Sequence, residues 1–217
     1  MPGPGSDLRY EKRAGRRTSS EGYPMPRSTE FDPDIVLDRA MDLFWQRGYE
    51  ATSMADLVEH LGIARASIYN TFGSKHELYL KALDRYLLKA DPSPVEFLAR
   101  PGPALPLVRA LVERYARDGA GDEQRRGCMV VNAVVERLPG DPSVARRVTA
   151  AWNGLEKALA DCLRRAQAQG ELSREKDPQA LARFFVVFLQ GLRVVAKTEW
   201  DPERFRDAAR EALKLIE

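Results

Sequence analysis

The sequence predicts an all-α protein, with a three-helix head and a larger helical body behind it. Three observations lead there. Apolar residues recur at three- and four-residue spacing through most of the chain. Gly and Asp-Pro pairs punctuate those runs at helix ends. No stretch sustains a period-two alternation with turn signals on both sides, so no strand is expected.

The run from Thr52 to Leu78 organises the rest. Thr52 is placed to cap a helix in which Met54, Leu57, Val58 and Leu61 form one apolar stripe, and Gly62 ends it. Ile63, apolar within a turn, is expected to fill the gap between two crossing helices. A second short helix, Ala64 to Phe72, turns Ile68 and Phe72 inward and leaves Arg65, Ser67, Tyr69, Asn70 and Thr71 on its outward side. Gly73 stops that helix, and Ser74 caps the next from Lys75. Two short helices across a glycine-containing turn form a helix-turn-helix, whose second helix commonly lies in the major groove of DNA.

Upstream, the segment Ile35–Met54 reads IVLDRAMDLFWQRGYEATSM. Taken with Gly62-Ile63, Ser67-Ile68-Tyr69, Phe72-Gly73-Ser74-Lys75 and Leu78, it resembles the DNA-binding head of the tetracycline-repressor (TetR/AcrR) family of bacterial transcription regulators, over about fifty residues. The resemblance implies a head at 27–75, and a body at 76–217 that binds a ligand and dimerises. It further implies a homodimer on a palindromic double-stranded operator, repressing transcription until a small-molecule effector respaces the heads. At the start of the recognition helix Arg65 and Asn70 are the candidates for base reading, since Arg can donate two hydrogen bonds to guanine. Tyr69 and Lys75 fit phosphate contacts, with Thr52 a third anchor; Ala66, Ser67 and Thr71 complete the expected DNA-facing set. One departure is Ala64, where the family usually has Ser or Thr, so capping of that helix passes to another group.

The remainder of the chain reads as helices. A first helix is expected from Asp32 to Arg47, with Val36, Ala40, Leu43 and Phe44 facing the helix-turn-helix and Trp45 as packing. A helix from Lys75 to about Lys89 is broken by Asp91-Pro92-Ser93-Pro94. The body follows with helices after Pro106, from Cys128 to Glu136, from Asp141 to about Gln169, from Asp177-Pro178, and from Asp201-Pro202 to Leu215 or Ile216; residues 118–127 read as a flexible link. The helix after Asp177 is apolar nearly all round, so it must be covered on more than one face. Leu155, Leu159, Phe185, Phe188 and Leu192 are the expected dimer contacts.

An apolar, partly aromatic effector pocket is expected from Leu111, Tyr115, Met129 and Val130 together with Trp152, Leu155, Phe184 and Phe188. Cys128 joins that set. It follows Arg125-Arg126-Gly127 at a predicted helix start, a setting that raises thiol reactivity; the other reading, which packing favours, is a small core filler at a tight helix contact, and Cys162 reads as core packing.

Composition narrows the class. A chain of 217 residues at 44% hydrophobic content can build a small head and a sizeable body. A net charge of +2 does not by itself announce a nucleic-acid binder, so any positive DNA-facing field comes from arrangement. Residues 1–26 are expected to be a disordered tail, locally basic at Lys12, Arg13, Arg16 and Arg17. No run approaches about 18 apolar residues, so no membrane span is expected, and two cysteines suit a reduced cytosolic protein; the family resemblance implies a bacterial cytoplasmic, nucleoid-associated one. His60 and His76 have no nearby cysteine and form no metal site, and no nucleophile elbow follows a strand. Neither catalysis nor a cofactor is expected.

Overall fold

A computed structural model describes residues 31–89, 92–121, 124–198 and 201–217. The tail expected over 1–26 lies outside them. The head opens with α1 (Pro33–Arg47), where Asp32 accepts the Asp34 amide at 2.9 Å and Pro33 takes the first turn. Then come α2 (Met54–Leu61), α3 (Arg65–Phe72) and α4 (Lys75–Leu88). Ser53 rather than Thr52 caps α2, trading hydrogen bonds with Asp56 in a capping box; Ser74 and Glu77 do the same for α4.

The body holds α5 (Pro94–Leu98), α6 (Leu105–Gly121), α7 (Met129–Arg137), α8 (Pro142–Ala168), α9 (Pro178–Val195) and α10 (Pro202–Leu213), closing in a 3₁₀ turn, Lys214–Ile216. No strand occurs among the described residues. Two expectations change. The Pro-rich break contains α5, nucleated by a Ser93–Glu96 capping box. The stretch expected as a flexible link from 118 begins instead as the last turn of α6. There Gly119 is a packing residue: a Cβ on it would lie 2.9 Å from the Phe205 ring of α10.

Buried side chains form two clusters. One joins α6, α8, α9 and α10 through Leu111, Leu159, Leu163, Phe185, Leu189 and Phe205. The other holds Val36, Met41 and Phe44 of α1 with Leu57, Leu61, Ile68, Phe72, Leu78 and Leu83. It does not stop at the head. Met129, Val130, Val131 and Ala133 of α7, and Val144 and Val148 of α8, belong to the same cluster. Outside it, paired guanidinium–carboxylate contacts brace α4 on both sides: Arg85 on Asp38 at 2.9 Å twice, and Arg147 on Asp84 at 2.7 and 2.9 Å.

By length and composition α9 is apolar enough to cross a membrane, with a mean hydropathy of 1.2. It nonetheless buries Ala182, Phe185, Val186, Leu189 and Leu192 in the body, as a core helix does. Phe184, Val187 and Val194 remain on its outside, 41%, 73% and 51% exposed.

Candidate nucleic-acid interface and the body behind it

On α3 the apolar side, Ile68 and Phe72, is fully used by the core, so Arg65, Ala66, Tyr69 and Asn70 are left exposed and Ser67 and Thr71 half-buried. Arg65 and Tyr69, one helical turn apart, hold each other. The guanidinium lies 5.7 Å from the ring centre and Nη2 donates to the Tyr69 hydroxyl at 3.4 Å. Ala64 offers α3 no side-chain cap, as the sequence implies, and among the described residues no other side chain is seen to take its place.

Thr52 is a correction. Its side chain is completely buried and its hydroxyl donates to the Gly48 carbonyl at 2.6 Å, so it neither caps α2 nor presents its hydroxyl to a phosphate. The exposed hydroxyl at that corner belongs to Ser53, with Arg47 held 3.0 Å from Asp56 beside it. Lys75 is half-buried, its ammonium 4.2 Å from the centre of the Tyr49 ring. Burial lowers its pKa, against the pull of Glu50 and Glu136.

The same corner meets the body. The Tyr49 amide donates to Glu136 Oε2 at 2.9 Å, and that carboxylate lies where a side chain at Gly48 (φ +87) would be. Arg137 rests on the Tyr49 ring at 4.2 Å and pairs with Glu50 and Asp141. Asp141, 4% exposed, accepts the Ser143 and Val144 amides at 3.0 and 3.2 Å to start α8, with His76 Nε2 2.7 Å away. Burial opposes its charge, but the His76, Val144 and Arg137 hydrogen bonds outweigh that and hold its pKa at about 2. The sequence marks Asp141-Pro142 only as a helix start; its partners across the joint are far away in sequence.

The residues expected to line an effector pocket divide between the two buried clusters. Leu111, Tyr115 and Leu155 are buried in the body cluster; Cys128, Met129 and Val130 in the other; Trp152 touches both. Phe184 and Phe188 stack on each other at 5.9 Å, with Phe184 exposed. A cleft of about 870 Å³ runs between α6 and α10, under Arg109, Arg117, Arg206 and Arg210. A polar cluster within the body does gather around Cys128. Tyr86 lies beside it, and burial, with Cys128 adjacent, pushes the Tyr86 phenol up. Arg193 lies 4.5 Å from the Tyr115 ring centre; burial opposes its charge, yet Cys128, Tyr86, Tyr115 and Asp118 raise its pKa. Arg126, expected beside the thiol, stacks on Trp45 instead. Tyr86 and Arg193 were missed as site residues because each reads as one more position in a helix.

The dimer set is also corrected. Leu159 and Phe185 are fully buried in the chain's own core, and Leu155 and Leu192 nearly so, leaving Phe188 half-buried and available. On α9 the exposed large apolar side chains are Phe184, Val187 and Val194, away from the buried Phe185 and Leu192.

Among the described residues no group of three His, Cys, Asp or Glu is arranged to hold a metal ion. Residues 36–82 match bacterial regulatory proteins of the tetR family, and residues 104–212 match the tetracyclin repressor-like C-terminal domain. The chain belongs to the TetR family. It is therefore a DNA-binding transcription regulator and not an enzyme. The HTH-type transcriptional regulator YezE of Bacillus subtilis (strain 168) is 36% identical over 194 residues, which is 89% of this chain and 100% of YezE. ComR of Escherichia coli (strain K12), a transcriptional repressor, is 30% identical over 186 residues, covering 85% of this chain and 89% of its own. Among solved TetR-family structures, a cysteine mutant of CifR bound to 26-base-pair operator DNA superposes with a TM-score of 0.77 at 34% identity, covering 89% of this chain and 100% of that one.

Proposed function

We propose that this TetR-family protein is a cytoplasmic repressor that binds a near-palindromic operator as a homodimer and is released by a small-molecule effector acting at the Cys128 end of α7. The observation behind the DNA half is the outward face of α3, where Arg65 is pre-aimed by Tyr69 and Asn70 stands exposed beside it. ComR, named a repressor, supports the direction of the output, and CifR, solved on its operator, supports the DNA partner. Half-sites roughly 34–36 Å apart, or a multiple of that, suit a two-headed protein.

Arg65→Ala should relax base preference at one position per half-site, at a cost of about 1–3 kcal/mol on the preferred base. Lys75→Ala should weaken all duplexes alike and reduce the salt slope by about one. Binding titrations on selected and random duplexes check both; if each variant behaves as wild type, the contact assignment is wrong.

The effector half rests on the Cys128 cluster, with two phenols and a guanidinium gathered around one thiol at a helix start. Cys162 is buried deeper, and burial pushes its thiol up despite Arg165. Iodoacetamide at neutral pH should therefore label Cys128 before Cys162 and release the operator, and Cys128→Ser should bind the operator without being released. Labelling in the reverse order, or release that persists in Cys128→Ser, would remove Cys128 from the effector site.

A further inference from the structure

Trp45 has a partly buried side chain on α1, and packing alone would account for its presence there. The contacts it makes are directional. Its Nε1–H donates to the Gly127 carbonyl at 3.0 Å, across 82 positions of sequence. The Arg126 guanidinium lies 3.8 Å from the ring centre, and Tyr86 of α4 meets the ring edge-on at 5.1 Å. A ring gripped through its one donor and also on its face is fixed in direction as well as in place.

The carbonyl it grips is itself wedged. Gly127 has φ +66, and a Cβ there would fall 2.7 Å from Lys197 Cγ and 3.1 Å from the Arg193 carbonyl oxygen. Lys197 Nζ donates to the Asn132 side chain at 3.0 Å, and Asn132 Nδ2 donates to the Arg126 carbonyl at 3.0 Å. Residues 126–127 are thus caught between the end of α9, the start of α7 and the head. Close-packed contacts of this kind pass on a displacement instead of absorbing it.

We infer that Trp45 is a positioning residue for DNA binding: by gripping Gly127 it fixes the angle of the head against the α9 end of the body. It does so by a route that does not run along α4. In a pair of chains that angle sets the separation of the two recognition helices. The inference rests on the paired-head reading above, and its test separates the two.

Trp45→Phe keeps a six-membered ring for Tyr86 and Arg126 and removes the donor together with the five-membered ring that carries it. The probe is a duplex selected by the wild-type protein from genomic fragments, remade with one or two base pairs inserted between the half-sites. Wild type should lose about tenfold in affinity per inserted pair, whereas Trp45→Phe should bind the parent duplex within about threefold and lose less than about threefold per insertion. A purely structural role would lower the melting temperature and weaken every duplex alike, with the spacing penalty unchanged; that result overturns the proposal. If Trp45→Phe loses helicity, Arg126→Ala removes the cation over the ring from the body side and is read by the same criterion. Wild-type indifference to spacing would remove the paired-head reading and this inference with it.

Discussion

The Asp141 carboxylate does two things at once: it starts α8 through two amides, and it joins the body to the head through His76. Its pKa falls from the ordinary 3.8 to about 2, so its stabilisation is complete above the unfolded value and drains away as pH drops from 3.8 towards 2. That difference corresponds to about 2 kcal/mol. Asp141→Asn should lower urea stability at neutral pH by an amount of that order and flatten the pH dependence below about pH 4. An unchanged acid limb in urea titrations would mean that other carboxylates carry it. At this scale the sequence was a partial guide. It marked Asp141-Pro142 as a helix start, since the pattern is local, but His76 and Arg137 meet the carboxylate only after folding. Thr52 and Ser53 are the converse case. Both have hydroxyls suited to capping, and what separates them is that burial against Gly48 consumes one.

At the scale of elements, the proposed pairing of two chains is assigned to α9. Its side chains divide into a buried set and an outer stripe, and the three- and four-residue spacing of apolar residues runs through both, so periodicity alone could not say which stripe faces a partner. Val187 is 73% exposed in the single chain, while Phe185 is fully buried. Val187→Glu should therefore give a helical, stable chain that sediments as a monomer at micromolar concentration, and Phe185→Glu should unfold it. Sedimentation with circular dichroism distinguishes these; a Val187→Glu protein that stays dimeric would move the interface off this stripe. Helix positions elsewhere were legible because their end signals are local: the Asp-Pro starts of α8, α9 and α10, and the glycines that end α1, α2 and α3. Where glycine served packing instead, as at Gly119, the same signal misled and α6 was read short.

For the whole molecule, the boundary between head and body is a matter of core and not of sequence. Because Met129, Val130, Val131, Val144 and Val148 share a cluster with α1 and α4, a fragment of residues 31–89 lacks part of its own interior. It should have a lower melting temperature and less helix per residue than the intact chain, and the intact chain should unfold in one transition; an isolated fragment melting as high as the whole would refute this. Sequence motifs marked the head by its surface and its turns, and could not reveal that a later helix completes it. The shared interior also limits how new regulators can be made from this one. Exchanging heads between relatives at residue 89 would part Met41 and Leu83 from Met129 and Val144, and at residue 75 would still part Met41 from all three, so a working graft must carry two separated pieces of chain. New operator preferences are then reached more readily by changing Arg65, Ala66 or Asn70 on the outside of α3, where the core is indifferent, than by recombining whole genes.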